Sequence, residues 1–457
     1  MTLLTCFKSY DVRGKLGEEL NTDIAWRIGF SFARVCKLNS VVLGGDARKS
    51  SPDLKKAFAN GLMEAGVNVI DIGLSGTEEI YYASSFLDVD GGVQITASHN
   101  PINYNGMKFV LKNGVPVGND TGLREIRELA ESNNFVLHPS VSRGNYRRMS
   151  IKDSYVNYLL SYIDLSKIKP LKIVVNSGNG AAGPVIDLIE QKFTNCGVPV
   201  SFIKINNDPD GDFPNGIPNP LLPECRRDTS IAVTENEADL GIAFDGDFDR
   251  CFFFDRKGHF IDGYYVVGLL SRLFLSKASG SKIVYDSRVY WNTESVISVL
   301  GGTPVISKAG HVFIKEKMRL ENAVYGGEMS GHHYFKDFNY CDSGMIPWLL
   351  LVELLSTSNV GIDNLVMEME AAYPCSGEIN INKKDTGKCL DKVLSVYGKN
   401  AIRTSFIDGI SIEFECWRFN LRCSNTEPLL RLNVETKGDQ ILLMKKTEEL
   451  LSFIDAI

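Results

Sequence analysis

Three stretches far apart along this chain repeat one local plan, and that repeat limits the possible folds more than any single motif does. Ser40-Val-Val-Leu43 reads as a buried strand, Gly44-Gly-Asp-Ala-Arg48 as a loop, and Ser51-Pro52 as the N-cap and first position of a helix. Leu54, Ala57, Phe58 and Leu62 recur at helical spacing, and Gly66 closes that helix ahead of a second strand over residues 67–72. The plan returns from residues 171–175, through a Gly-rich turn and a helix ending at Cys196-Gly197, into residues 198–202. It returns again from residues 282–285, through a helix ending at Leu300-Gly301-Gly302, into residues 304–306. Each copy favours parallel strands with helices over the sheet, and ligand sites in such sheets lie at the carboxyl ends of strands.

The last stretch follows different rules. Residues 404–407 and 410–414 flank Asp408-Gly409, the signal of a two-residue hairpin turn, residues 429–434 alternate apolar with polar, and residues 441–457 read as an amphipathic closing helix. The expected fold class is α/β: three mixed-sheet domains with repeated strand-helix-strand units, plus a smaller α+β C-terminal domain, around a central cleft. Breaks near residues 150, 255 and 370 give domains 1–150, 151–255, 256–370 and 371–457. A length of 457 residues agrees, since domains average roughly 150 residues and one of these is small.

Charge narrows the partners. Lys plus Arg number 49 against 56 Asp plus Glu, a net charge of −7, so no general basic field draws nucleic acid or anionic lipid. An anionic ligand must be held by a local basic cluster. Residues 1–8 lack a basic leader pattern and the longest apolar run is residues 345–352, so no membrane segment is expected. Ten cysteines without a CxxC pair fit a reducing compartment, and the cytoplasm is the expected location.

Five runs could carry chemistry. Asp245-Gly-Asp247-Phe-Asp249-Arg250 follows the apolar residues 240–244, and alternate carboxylates at a strand end can converge on Mg²⁺ or Ca²⁺. An EF-hand is excluded because Arg250 and Arg256 occupy its sixth and twelfth positions; a solvated acidic turn is the plain alternative. Val93-Gln-Ile-Thr-Ala-Ser98-His99-Asn100-Pro101 delivers a hydroxyl and an imidazole from an apolar strand, either as nucleophile or phosphate carrier or as an ordinary cap. If the strand continues, neighbours face opposite sides and His99 is not placed as base for Ser98. Gly178-Asn-Gly180-Ala-Ala-Gly183 matches the dinucleotide fingerprint, yet Asn176-Ser177 intervene after the strand and the next acidic residue, Asp208, comes late; close helix packing explains it better. Gly326-Gly327-Glu328-Met-Ser330-Gly331-His332-His333 offers donors and acceptors for sugar hydroxyls, or is a polar loop. Trp417-Arg418 to Arg422-Cys-Ser424-Asn425-Thr426-Glu427-Pro428, then Arg431, concentrates guanidiniums and hydroxyls as phosphate sites do, with a solvated surface as the alternative.

Taken together and in this order, Thr96-Ala-Ser98-His-Asn-Pro101, Asp245-Gly-Asp-Phe-Asp-Arg250, Gly327-Glu-Met-Ser-Gly-His332 and Arg422-Cys-Ser-Asn-Thr-Glu-Pro428 resemble the four signature loops of the α-D-phosphohexomutases. Tyr10-Asp-Val-Arg-Gly14 and Lys308-Ala-Gly-His311 match as well. Residues 213–220 and Glu328-Met-Ser330 look nearest to bacterial members that act on mannose phosphate for GDP-mannose synthesis. The resemblance implies an intramolecular phosphotransferase that converts mannose 6-phosphate to mannose 1-phosphate through a phosphoserine and a 1,6-bisphosphate.

On that resemblance Ser98 carries the phosphoryl group, and Asp245, Asp247 and Asp249 bind Mg²⁺ together with it. Arg13, His99, Lys108 and Arg250 surround the transfer, with Lys108 handling the proton. Arg288 and His311 line the substrate cleft, Glu328 and Ser330 read the sugar hydroxyls, and Arg422, Ser424, Asn425, Thr426 and Arg431 clamp the distant phosphate. Mannose or glucose 1,6-bisphosphate is the expected activator, and a monomer or weak dimer the expected state. Two departures bear on specificity: Gly216-Ile217 stands where many members have two His, and Arg288 where some have Lys. The alternatives are a dual-specificity mutase, a non-catalytic sugar-phosphate binder, and a dinucleotide-dependent dehydrogenase.

Overall fold

The computed structural model describes residues 3–136, 142–358, 360–383, 385–424 and 429–457. The chain divides into two compact units, Met1–Phe260 with Asp337–Thr357, and Ile261–Lys336 with Ser358–Ile457.

In the first unit, strand Ser40–Gly45 pairs in parallel with Asn68–Leu74 on one side and Gly91–Ile95 on the other. Helix Ser51–Glu64 makes the first crossover, as parallel pairing requires. Strand Gly91–Ile95 then pairs antiparallel with Tyr104–Leu111, so residues 96–103 form a loop at the carboxyl end of a central strand. The helix cap is Ser50 rather than the expected Ser51, and the Ser51 hydroxyl donates to the buried Asp46 carboxylate. A second sheet places Leu171–Asn176 between Val200–Ile205 and Leu240–Phe244, all parallel. Leu240–Phe244 turns back antiparallel on Cys251–Phe254 with Phe244 opposite Cys251, which leaves residues 245–250 as the whole connecting loop. Helix Met345–Thr357, apolar nearly all round, is buried in this same unit, with Trp348 fully enclosed. Among the described residues no single helix is long and apolar enough to cross a membrane.

In the second unit, Lys282–Asp286 runs parallel to Thr303–Ser307 and to Tyr325–Gly327, the third copy of the plan, and Tyr325–Gly327 turns back on His333–Phe335. The C-terminal sheet is antiparallel throughout, in the order Ile379–Asn382, Leu429–Thr436, Trp417–Cys423, Ile410–Glu413, Arg403–Ser405. Helices Thr386–Tyr397 and Gln440–Asp455 pack on it over a core that includes Phe419, Leu432 and Leu450.

The expected two-residue turn at Asp408-Gly409 is absent. Ser405 pairs with Ser411, so the turn is longer and centred on Asp408, whose backbone carbonyl accepts from Asn420 and whose carboxylate accepts from the Ala309 N–H. Arg418 of the cation-rich run is also internal. It is buried against Glu435, over the Tyr290 ring. Glu435 accepts from Tyr264 as well, and from the backbone N–H groups of Tyr290 and Trp291 at the start of helix Trp291–Val299, where a carboxylate is stabilised by the helix dipole.

Candidate active site

The first unit brings Ser98 to the acidic loop. Strand Gly91–Ile95 stops before Ser98, which adopts φ +48°, a left-handed conformation that costs a non-glycine residue roughly 1–3 kcal/mol and persists only when its surroundings enforce it. The enforcing contacts are explicit. Thr96 donates to Asp46 and accepts from the Ser98 N–H at 2.8 Å, while buried Arg48 donates to the carbonyls of Ser98, Asn100, Pro101 and Tyr104 at 2.9, 2.6, 2.9 and 3.1 Å. Because the strand has ended, Ser98 and His99 do not face opposite sides as a continued strand would require; the Ser98 Oγ lies 3.2 Å from His99 Nδ1.

The Ser98 hydroxyl donates to Asp245 Oδ2 at 2.9 Å. Asp245, Asp247 and Asp249 are all buried, and one oxygen from each lies within 4.8 Å of the others. Cations surround this knot of negative charge. Lys108 donates to Asp247 and Asp249 at 2.7 and 2.5 Å, and Arg250 donates to Asp245 Oδ2 through Nε and Nη2 at 3.0 and 2.7 Å and to His99 Nδ1 at 2.6 Å. Arg13 is oriented by Asp11 and Asn100, and its charge acts on Asp247. Thr77 Oγ1 donates to Asp247 Oδ2 at 2.5 Å.

These neighbours set the protonation states. Burial works against the Asp247 carboxylate, yet Lys108 and Arg13 outweigh it and hold that acid below its ordinary range; Asp249 is pushed well above it by burial and by Asp247. Burial and Arg250 keep His99 neutral, so Nδ1 accepts from Arg250 and the Ser98 proton points to Asp245. Burial opposes the Lys108 charge, but two carboxylates hold it as an ammonium. In this arrangement Lys108 is a counter-charge to the carboxylates and not a free base.

Glycines let separate segments back onto the acidic loop. A Cβ at Gly180 would stand 2.8 Å from the Gly246 carbonyl oxygen, one at Gly246 2.7 Å from that of Ser98, one at Gly76 2.6 Å from that of Asp247, and one at Gly344 2.5 Å from that of Phe248. The dinucleotide-like spacing of Gly178, Gly180 and Gly183 is accounted for in this way, since a Cβ at Gly183 would collide with the Asn207 carbonyl at 1.8 Å.

The second unit gathers the remaining candidates. Arg288, buried, makes a bidentate pair with Asp286 at 2.9 and 2.8 Å and lies 3.5 Å from Glu328 and 3.4 Å from the Ser330 hydroxyl. Glu328 accepts from the Gly310 N–H at 2.7 Å and from Tyr334 at 2.6 Å, which ties it to the turn that precedes His311, the first residue of helix His311–Glu321. Burial raises Glu328 despite Arg288 nearby. Arg422 stands directly opposite Arg431 on neighbouring strands, Ser424 follows with its N–H bonded to the Leu429 carbonyl, and Asn425 and Thr426 lie outside the described residues.

Motif reading passed over Arg48, Thr77, Asp286 and Glu378. Only Asp286 carried a usable signal, as the acidic residue that follows the predicted strand 282–285 and stands just before Ser287-Arg288.

A fold of repeated α/β domains, one bearing a hydroxyl hydrogen-bonded into three buried carboxylates and others bearing converging arginines, defines an enzyme class that handles phosphate esters. Matches to known proteins agree in detail. The family described as phosphoglucomutase/phosphomannomutase matches through its alpha/beta/alpha domain I over residues 5–137, domain II over 153–258, domain III over 262–373 and its C-terminal domain over 378–451. The chain is 57% identical over 456 residues to a phosphomannomutase of Salmonella montevideo, covering 100% of both. It is 51% identical over 451 residues to the phosphohexose mutases protein of Xanthomonas campestris pv. campestris, covering 99% of each. A phosphoglucomutase/phosphomannomutase family protein of Burkholderia thailandensis has the same structure at a TM-score of 0.87 and 30% identity, covering 100% of this chain and 98% of that one. The chain belongs to the phosphoglucomutase/phosphomannomutase family. It is a phosphohexomutase, an intramolecular phosphotransferase of the isomerase class.

Proposed function

We propose that the chain interconverts mannose 6-phosphate and mannose 1-phosphate, with Ser98 as the phosphoryl carrier, and that it supplies GDP-mannose synthesis in the cytoplasm. The observation that carries this reading is the Ser98 hydroxyl donating to Asp245 within three buried carboxylates. Transfer to and from such a hydroxyl asks the protein mainly for positioning and for neutralised charge.

In the first half, the Ser98 Oγ–P bond breaks as a P–O bond forms to the free hydroxyl of the sugar phosphate, giving a 1,6-bisphosphate, and the proton the sugar hydroxyl loses is balanced by the one Ser98 Oγ regains as it becomes the hydroxyl that bonds Asp245. In the second half, Ser98 Oγ attacks the other phosphorus, the sugar oxygen leaves, and the Ser98 proton departs along its hydrogen bond toward Asp245. In this reading Arg250, bonded to Asp245, and Arg13, bonded to Asn100, face the charge on the transferring group, and Lys108 donates a hydrogen bond to the departing oxygen. Arg48 fixes the carrier loop throughout.

The donor set suits a hard divalent cation. Three carboxylates and a hydroxyl offer oxygens only, and Asp247 Oδ1 is buried with no hydrogen-bond partner among the described residues. Asp245, Asp247, Asp249 and Ser98 would hold Mg²⁺, which when bound supplies electrostatic stabilisation of the transferring phosphoryl group. In the second unit, Glu328 and Ser330 are assigned to the sugar hydroxyls, Arg288 and His311 to the substrate, and Arg422, Ser424, Asn425, Thr426 and Arg431 to the phosphate not being transferred. Mannose or glucose 1,6-bisphosphate serves as activator, by restoring the phosphoserine, and the enzyme works as a monomer or weak dimer.

The family description, phosphoglucomutase/phosphomannomutase, favours a second reading, a mutase for both mannose and glucose phosphates. Coupled kinetics on mannose 1-phosphate and glucose 1-phosphate, with catalytic bisphosphate, decide between them. A kcat/KM ratio well above one for mannose supports the first reading, and a ratio near one replaces it with the second.

A further inference from the structure

Arg288, Arg422 and Arg431 converge on one carboxylate. Glu378 Oε2 accepts from Arg422 Nη2 at 2.8 Å and stands 3.5 Å from Arg288 Nη1, while Oε1 lies 3.4 Å from Arg431 Nη1. Guanidinium forks suit carboxylate and phosphate oxygens alike, so the donors that meet on Glu378 can also meet on a phosphoryl group. Arg288 does not need Glu378 for neutralisation, because Asp286 already pairs with it bidentately. Arg422 and Arg431 stand directly opposite across strands, where like charges repel, and Glu378 bonds Arg422 more closely than Asp408, which lies 4.0 Å away. Burial would raise the Glu378 acid, but the three guanidiniums outweigh it and hold the group below its ordinary value, so it is charged at neutral pH.

The backbone beneath Glu378 is anchored while its side chain is not enclosed. Ser376 N–H donates to the Val434 carbonyl, the Gly377 carbonyl accepts from Asn433, and Ile379 begins the strand that pairs with Leu429–Thr436. The Glu378 side chain keeps 24% exposure, against 6% for Arg422. Rotation about its side-chain bonds frees the arginines without moving the sheet.

We propose that Glu378 is an internal stand-in for the substrate's second phosphate: it keeps Arg422 and Arg431 together between turnovers and yields them when a phosphoryl group arrives. This rests on the assignment of those arginines to the phosphate. A bisphosphate that must turn end for end has to leave this grip in every cycle, and a resident carboxylate that competes for the same donors limits how firmly the grip holds.

Glu378→Gln keeps the shape and removes the charge. Inorganic phosphate as competitive inhibitor and mannose 1-phosphate as substrate are compared in the parent, in Glu378→Gln and in Arg422→Ala. The expected result is an inhibition constant for phosphate and a KM that both fall by roughly 3- to 10-fold in Glu378→Gln, with kcat unchanged or lower. Unchanged or higher constants overturn the proposal. Arg422→Ala tests the underlying assignment separately: if it weakens phosphate while Glu378→Gln fails to tighten it, only the stand-in role falls, and if it changes neither constant the grip itself is wrongly placed. Should Glu378→Gln fail to fold, Glu378→Asp, with the carboxylate withdrawn by one methylene, must shift both constants downward by a smaller factor, and constants equal to the parent's overturn the proposal.

Discussion

The Ser98 cluster and the Glu378 cluster solve the same electrostatic problem with opposite signs and different rigidity. Around Ser98 three carboxylates are buried, and two cations, Lys108 and Arg250, are hydrogen-bonded into them. Around Glu378 three arginines meet one partly exposed carboxylate. The first is over-determined: a left-handed serine is held by Thr96 and by four carbonyls on Arg48. The second rests on strand register and one rotatable side chain. Chemistry that transfers a group needs fixed atoms, whereas a site that binds and releases the same group in every cycle needs a partner that can leave.

The comparison can be broken at several points. Ser98→Ala removes the proposed carrier oxygen and should cut turnover by roughly three orders of magnitude or more, while sugar-phosphate binding measured by calorimetry persists. Normal turnover in that variant would remove Ser98 from the mechanism. Arg48→Met leaves four carbonyls without their donor in a buried site and should lower unfolding stability by roughly 3–5 kcal/mol, read by urea denaturation. A cost under about 1 kcal/mol would mean the loop holds itself. Mg²⁺ at about 100 times its dissociation constant should stabilise the protein by about 2.7 kcal/mol, and Asp247→Asn should shrink that gain; equal gains in both would place the ion elsewhere. Arg422→Ala should raise KM by roughly 10- to 100-fold with a smaller change in kcat, the mark of a binding rather than a transferring group.

The smallest effect concerns pH. The Glu378 acid is held below its unfolded value by three arginines, against the pull of burial. Its stabilising contribution is therefore present above the ordinary glutamate pKa and is lost as pH falls through the lower folded value. Melting temperature followed from neutral pH into acid should fall less steeply in Glu378→Gln than in the parent, and parallel curves would show that the three arginines do not depend on its charge.

Much of the first cluster was legible because its parts are contiguous. Asp245, Asp247 and Asp249 lie within five residues, and Ser98 follows directly on a predicted strand. What sequence could not supply was the company these residues keep. Thr77 reaches Asp247 across 170 residues, and Arg48 reaches the Ser98 loop across about fifty, from a stretch that reads only as a turn. Glu378 has no motif of its own; its contacts exist only because strand pairing sets Arg422 against Arg431. The turn at Asp408-Gly409 was misread for a similar reason, since Asn420 and Ala309 recruit Asp408 and lengthen the loop that local rules would have closed in two residues. The β/α repeats needed no such help, because hydrophobic spacing and helix stops are local properties.

Gly76, Gly180 and Gly344 come from three distant segments, yet each fits against the short stretch 246–248, and Gly246 in turn fits against Ser98. A saturation library across the gene would therefore show four narrow columns of intolerance at positions that carry no charge and make no contact through a side chain. Engineers seeking altered sugar preference should leave those four columns untouched.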